Sequence, residues 1–64
     1  MKKYQDAIVE LRAALSISQE ELAKLLGVSF SSVNRWENGR TIPTKIAQVK
    51  LNKLFKEYSI KMEG

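Results

Sequence analysis

The sequence contains no cysteine and no histidine among its 64 residues. Without cysteine, neither a disulfide nor a thiolate metal site can form. The missing histidines remove the commonest zinc ligand and the commonest general base. Because the carboxylates do not cluster either, no nucleophile–base pair is apparent. We therefore expect no enzyme, no metal and no cofactor.

Long hydrophobic runs are also missing. No apolar stretch is long enough to cross a membrane, and no signal-peptide hydrophobic segment follows the lysines at positions 2 and 3. A cytoplasmic protein with no membrane partner is therefore the expectation.

The length and the 44% hydrophobic fraction predict one folded domain over residues 1–64. A chain of this size buries only about 60% of its unfolded surface, so the core must be small. The net charge of +4 and the pI near 9.6 are compatible with nucleic acid or another anionic surface. Many small proteins have a similar excess of basic residues, so the charge does not by itself identify DNA as the partner.

The first and last segments of the chain follow helical spacing. One stripe predicts helix 1 over about residues 3–14, and it consists of Tyr4, Ile8, Leu11 and Leu15. Helix 4 is expected to begin near Thr44 and to continue to about Tyr58, since no glycine or proline interrupts it before Gly64. Its apolar positions are Ala47, Leu51, Leu54, Phe55 and Tyr58.

Two shorter helices are predicted between these segments. Ser18 and Glu21 form the signature of a capping box at the start of helix 2, and Gly27 ends that helix. Ser29 is the expected cap of helix 3, which ends at Asn38-Gly39. The apolar side of helix 2 is expected to consist of Leu22, Leu25 and Leu26.

The join between helices 2 and 3 predicts a helix-turn-helix over about residues 19–38. Two helices that meet at a tight turn need a small residue at their closest approach, a glycine at the turn and an apolar anchor, and Ala23, Gly27 and Val33 supply them. At about 100° per residue, Val33 and Trp36 face inward on helix 3. A DNA-binding helix-turn-helix places its second helix, here about residues 29–37, in the major groove of double-stranded DNA.

The outward side of helix 3 carries the candidates for contact with bases. Arg35 is suited to guanine O6 and N7, and Asn34 to adenine N6 and N7. Ser31 is short enough to contact a base edge or a phosphate. Phe30, at the helix start, either contacts a thymine methyl group or only covers the turn.

A second set of residues is expected to contact DNA phosphates, which fix the register of a protein on DNA without reading sequence. Gln19 lies at the start of helix 2, where the backbone N–H groups and the helix dipole favour an anion. The other candidates flank the loop before helix 4, and they are Asn38, Arg40, Thr41 and Lys45. The remaining lysines of helix 4 are interpreted as a solvated face, and they are Lys50, Lys53, Lys56 and Lys61.

Glu37 is unexpected on a helix that faces DNA, because its charge repels phosphate. A partner that neutralises it explains its presence, and Arg12, late in helix 1, is the expected partner in an ion pair.

These features resemble the Cro/phage-repressor (XRE-type) helix-turn-helix family. The similarity extends over about Leu11 to Leu54 and includes residues 18–29, Pro43 and the run Val-Asn-Arg-Trp-Glu-Asn-Gly-Arg that begins at Val33. The resemblance implies a compact, all-α, lambda-repressor-like domain of four to five helices that binds DNA as a homodimer on near-palindromic sites. By position it implies base reading and phosphate contact for the residues already named, apart from Lys45, and it implies an ion pair between Arg12 and Glu37. In this family the C-terminal region is often two helices, whereas one longer helix is expected here.

A protein-interaction module, such as an antitoxin-like or accessory domain, is the alternative from another functional class. The apolar side of helix 4 would then serve the partner, through Leu51, Phe55 and Tyr58.

Overall fold

Four α-helices make up the secondary structure of the computed structural model, which describes residues 3–62. They are α1 (Tyr4–Leu15), α2 (Gln19–Leu26), α3 (Phe30–Glu37) and α4 (Lys45–Glu57). No strand occurs between residues 3 and 62, and the expected all-α fold is confirmed. The C-terminal region contains a single helix, as expected.

Side-chain caps fix the starts of α2 and α3. The hydroxyl of Ser18 accepts a hydrogen bond from the backbone N–H of Glu21 (3.1 Å), and the Glu21 carboxylate accepts one from the backbone N–H of Ser18 (2.9 Å). The predicted capping box is therefore confirmed. The bond from the Ser18 backbone holds the pKa of Glu21 below its ordinary value. Ser29 caps α3 by accepting from the N–H of Ser32 (3.2 Å).

The turn between these helices requires Gly27. Its φ is +73°, a left-handed conformation that residues with a Cβ rarely adopt. The next N–H, of Val28, returns to the carbonyl of Ala23 (2.9 Å), which is the bonding pattern of a Schellman motif. Lys50 completes this end, because its ammonium donates to the carbonyl of Leu26 (3.0 Å). Lys50 is exposed, as expected for a solvated face, but its ammonium also has a partner within the protein.

The core is built from all four helices and one residue beyond α4. It consists of Ala7, Ile8, Leu11, Leu22, Ala23, Leu26, Val33, Trp36, Ala47, Leu51, Phe55 and Ile60. The helix α3 packs against both α1 and α2, and α4 packs against the same two helices.

The expected apolar side of α2 is wrong at one position. Leu25 is 56% exposed, whereas Leu22 and Leu26 are buried. On a helical wheel Leu25 lies about 100° from the direction shared by Leu22, Ala23 and Leu26. A helix of eight residues, packed on one side, leaves that position in solvent.

Two helices end without glycine. Ser16 after α1 and Ser59 after α4 both have φ of 57°, and each is followed by an isoleucine whose N–H returns to the helix. A left-handed conformation costs a residue with a Cβ roughly 1–2 kcal/mol. Burying an isoleucine returns about 1.5–3 kcal/mol, and Ile60 is only 6% exposed. Burial of Ile60 therefore explains why the chain turns at Ser59 although no glycine or proline is present.

The surface assigned to the alternative function is only partly exposed. Leu51 and Phe55 are buried in the core, so they cannot receive a protein partner. Tyr58 is 40% exposed. The apolar side chains of this region that are more exposed than Tyr58 are those of Ile42, Ile46 and Val49. The expectation that Leu51 and Phe55 form a docking surface is therefore wrong.

Candidate nucleic-acid interface

The outer face of α3 is held in position by two anchors beneath it. Val33 is fully buried and Trp36 is 4% exposed. Ser31 and Arg35 are exposed on the opposite side of the helix, and Asn34 is half-buried at its edge. This is the arrangement expected from helical spacing.

The side chain of Arg35 has no hydrogen-bond or ion-pair partner among residues 3–62, so its guanidinium is free to reach a ligand. Its backbone carbonyl accepts from the N–H of Arg40 (3.0 Å), which ties the following loop to the end of α3. An arginine held only by its helix can present all five N–H donors outward.

The start of α3 exposes one apolar and one small polar residue. The side chain of Phe30 is 50% exposed. The Ser31 hydroxyl lies 3.3 Å from the hydroxyl of Ser29, which caps the helix. Both candidates for base contact are thus on the surface of the same turn.

Glu37 and Arg12 form a two-pronged ion pair beside this face. Arg12 Nε donates to Glu37 Oε2 (2.6 Å) and Arg12 Nη2 donates to Glu37 Oε1 (2.9 Å). Only 6% of the Glu37 side chain is exposed, compared with 25% for Arg12. Arg12 is oriented further because its Nη1 donates to the carbonyl of Ile17 (3.1 Å).

The pair changes the pKa values of both groups. Burial alone raises the pKa of Glu37, but the hydrogen bonds from Arg12 and Gln19 outweigh it, and the net pKa is lowered. The hydrogen bond to Glu37 raises the pKa of Arg12. Both groups therefore remain ionised at neutral pH, and the negative charge on this side of α3 is neutralised locally.

A chain of side-chain amides extends from the ion pair across the helix-turn-helix. Gln19 Nε2 donates to Glu37 Oε1 (2.9 Å), and Gln19 Oε1 accepts from Asn34 Nδ2 (3.2 Å). Asn34 Oδ1 in turn accepts from Asn38 Nδ2 (3.0 Å). The structure thus gives three of the sequence-predicted contact residues, Gln19, Asn34 and Asn38, partners within the protein. Sequence spacing gave no signal for this chain, because it depends on how closely the start of α2 approaches α3.

The remaining phosphate candidates lie in the loop after α3 and at the first residue of α4. Arg40, Thr41 and Lys45 are all exposed, and the first turn of α4 contains no acidic residue. By contrast, the first turn of α2 contains Glu20 and Glu21. Those charges oppose a phosphate at the start of α2, and a phosphate contact by Gln19 has only the second N–H of its amide available.

Gln5 contributes to the shape of the loop that follows α3, and sequence analysis missed it. Its side-chain oxygen lies 2.7 Å from the point that a Cβ would occupy at Gly39. Gly39 also has a φ of +75°. The positive φ is what favours glycine at this position, because the exposed end of the Gln5 side chain could move aside for a Cβ.

Two capped helices that meet at a glycine turn, with a partner-free arginine on the outer face of the second, define a helix-turn-helix domain. A family model described as helix-turn-helix matches residues 8–60. The chain belongs to that family, the Cro/phage-repressor (XRE) type of DNA-binding regulator. We found no significant match among curated proteins or among solved structures. None of the helices in residues 3–62 combines the length and the apolar character needed to cross a bilayer.

Proposed function

We propose that this domain binds double-stranded DNA sequence-specifically as a transcriptional regulator, with α3 in the major groove. The observation that carries the proposal is the exposed, partner-free guanidinium of Arg35, which stands on a helix anchored by Val33 and Trp36. Arginine donates two hydrogen bonds to guanine O6 and N7, and one such pair discriminates between bases by about 1–3 kcal/mol. Phe30, Ser31 and Asn34 lie around it and complete the proposed base-reading set.

Contacts to the DNA backbone are assigned to the first residue of α2 and to residues that follow α3. The proposed set consists of Gln19, Asn38, Arg40, Thr41 and Lys45. The exposure of the last three residues and the lack of acidic side chains in the first turn of α4 support this assignment. The overall charge of +4 favours the same partner through counterion release.

We further propose that two copies bind as a homodimer on a near-palindromic site, in the cytoplasm and without enzymatic activity, metal or cofactor. The exposed apolar side chains of Ile42, Ile46 and Val49 support self-association, because they offer an apolar surface on and beside α4. Dimers of this class read half-sites about one helical turn apart.

Selection of bound sequences from random DNA tests the whole proposal. We expect an enriched motif with two inverted half-sites, and affinity that falls steeply as salt rises. An enriched motif with only one half-site would refute the homodimer. Binding that shows neither sequence preference nor salt dependence would favour the protein-interaction module instead.

Replacing Arg35 by alanine tests the base-reading role. We expect preference at one base pair to relax, with a loss of about 1–3 kcal/mol on the selected site and little loss on random DNA. Arg40→Ala is the comparison, since loss of a phosphate contact should weaken all sequences alike and lower the salt slope by about 1. Lys56→Ala is the control for charge alone, because Lys56 lies about 16 Å along α4 from Lys45. Equal losses on selected and random DNA for Arg35→Ala would exclude base reading by this residue.

A further inference from the structure

We infer that Gln19 is a positioning residue that fixes which end of the Asn34 amide is presented to DNA. This inference rests on the proposed binding of α3 in the major groove. It assigns Gln19 a role in specificity that differs from contact with a phosphate.

The direction of the amide chain is set by Glu37. A carboxylate only accepts hydrogen bonds, so the side chain of Gln19 must turn its Nε2 towards Glu37 Oε1, at 2.9 Å. Its Oε1 then faces Asn34, at 3.2 Å, and can only accept. Asn34 must therefore direct Nδ2 towards Gln19.

The other end of Asn34 then faces Asn38 with its oxygen. Its Oδ1 faces Asn38 and accepts from Asn38 Nδ2 at 3.0 Å. A reversed Asn34 amide would set its NH₂ against the NH₂ of Asn38 and its oxygen against the oxygen of Gln19. The exposed amide of Asn38 could turn to follow such a reversal, but Gln19 is held by Glu37 and could not, so the contact between the two oxygens would be repulsive. One orientation is therefore selected before any DNA arrives.

Asn34 retains the groups that base reading needs. An amide has two N–H donors and two acceptor lone pairs. The hydrogen bonds to Gln19 and from Asn38 use one donor and one lone pair of Asn34. One donor and one lone pair therefore remain. Adenine requires one donor for N7 and one acceptor for N6–H. With its donor on the α2 side and its acceptor on the Asn38 side, the half-buried Asn34 distinguishes A·T from T·A at a fixed register.

Gln19→Leu tests this role, since leucine has a similar size and lacks the amide. We expect preference at the base pair read by Asn34 to fall about 3- to 10-fold, the net worth of one hydrogen bond. Gln19 also belongs to the proposed phosphate set, so a loss of affinity shared by all sequences is assigned to that contact, and only the change in base preference tests the positioning role. A uniform loss with unchanged base preference would leave Gln19 with a phosphate contact alone and overturn the inference.

The Asn34→Ala background provides the decisive control. If Gln19 acts through Asn34, then Gln19→Leu should have no further effect on base preference when Asn34 is already alanine. An unchanged effect in that background would overturn the inference. Asn52→Ala is the matched control, because it also removes a side-chain amide but from an exposed position on α4. We expect it to leave base preference unchanged.

A measurement without DNA tests the orientation directly. In the free protein, NMR should show nuclear Overhauser contacts from the Asn34 side-chain NH₂ to Gln19, and Gln19→Leu should shift the Asn34 NH₂ resonances. Contacts from that NH₂ to Asn38 alone would contradict the orientation. If Arg35→Ala loses base preference and Asn34→Ala does not, this inference is refuted and the proposed function stands. If the wild type shows no base preference at all, the proposed function itself is refuted.

Discussion

Replacing Arg12 by methionine should expose the electrostatic role of the Arg12–Glu37 pair. Methionine retains much of the apolar stem of arginine but provides no hydrogen bonds. The substitution leaves a carboxylate whose side chain is only 6% exposed, with Gln19 as its remaining donor. Removing one partner of a buried pair is costly because the other charge stays buried and uncompensated.

The size of the loss follows from the exposure of the two partners. Breaking a fully buried pair costs about 3–5 kcal/mol. Arg12 is 25% exposed, so water already weakens its side of the pair, and we expect about 2–3 kcal/mol. A domain of 64 residues has a total stability of roughly 3–10 kcal/mol. The variant should therefore be strongly destabilised at neutral pH and best studied at low temperature.

The pH dependence of this loss has a definite sign. In the wild type the pKa of Glu37 is lowered from 4.5. Its stabilising contribution is present above the unfolded pKa and is lost as the pH falls through the folded pKa. In Arg12→Met, burial without the arginine should raise the pKa of Glu37 above its unfolded value. The unfavourable burial of charge disappears as Glu37 of the variant takes up a proton. The difference in stability between the two proteins should therefore begin to shrink above pH 4.5 and continue to shrink down to the lowered folded pKa of the wild type.

Urea unfolding followed by the fluorescence of Trp36, the only tryptophan, measures both proteins between pH 3.5 and 7. Arg35→Met is the matched control, because Arg35 has no partner among residues 3–62, and it should change stability by less than about 0.5 kcal/mol at every pH. A difference between Arg12→Met and wild type that stays constant across this range would refute the argument that Glu37 is held ionised by Arg12.

Two further substitutions test the left-handed turns by thermal unfolding. Gly27→Ala should destabilise by about 1–2 kcal/mol, since φ is +73° and the nearest atom to the new Cβ is 3.6 Å away, so the cost is conformational and not steric. Ser16→Gly should raise the melting temperature, because glycine relieves the strain at φ of 57°. A lowered melting temperature for Ser16→Gly would show that the serine side chain contributes more than its backbone strain costs.

Much of the fold could be predicted because its signals are local. The capping box at Ser18, the serine cap at Ser29 and the glycine at Gly27 each act within a few residues, and each has the expected hydrogen bonds or backbone angle. The two helix ends without glycine could not be read in this way. At Ser59 the turn is stabilised by burial of Ile60 in a core assembled from distant segments.

The candidate site was predictable as a face but not as a network. Helical spacing separates Val33 from Arg35 correctly, because it depends only on the geometry of α3. The contacts of Gln19 and Lys50 join residues 15 or more positions apart in the sequence. They depend on how closely the start of α2 approaches α3 and how closely its end approaches α4. A solvated lysine and a lysine that caps a neighbouring helix look the same in sequence.

The two principal base-reading candidates differ in how much order they must gain on binding. Arg35 is free in solution, so contact with a base must restrict a long side chain, at a cost of up to about 2 kcal/mol. Asn34 is already oriented by Gln19 and Asn38, so its contact carries little of that cost. A free cation can adjust to the DNA that it meets, whereas a fixed amide accepts only one orientation of a base pair. We therefore expect both residues to discriminate between base pairs, and Asn34 to do so at the smaller cost in side-chain order, an advantage that depends on Glu37 remaining ionised beside Arg12.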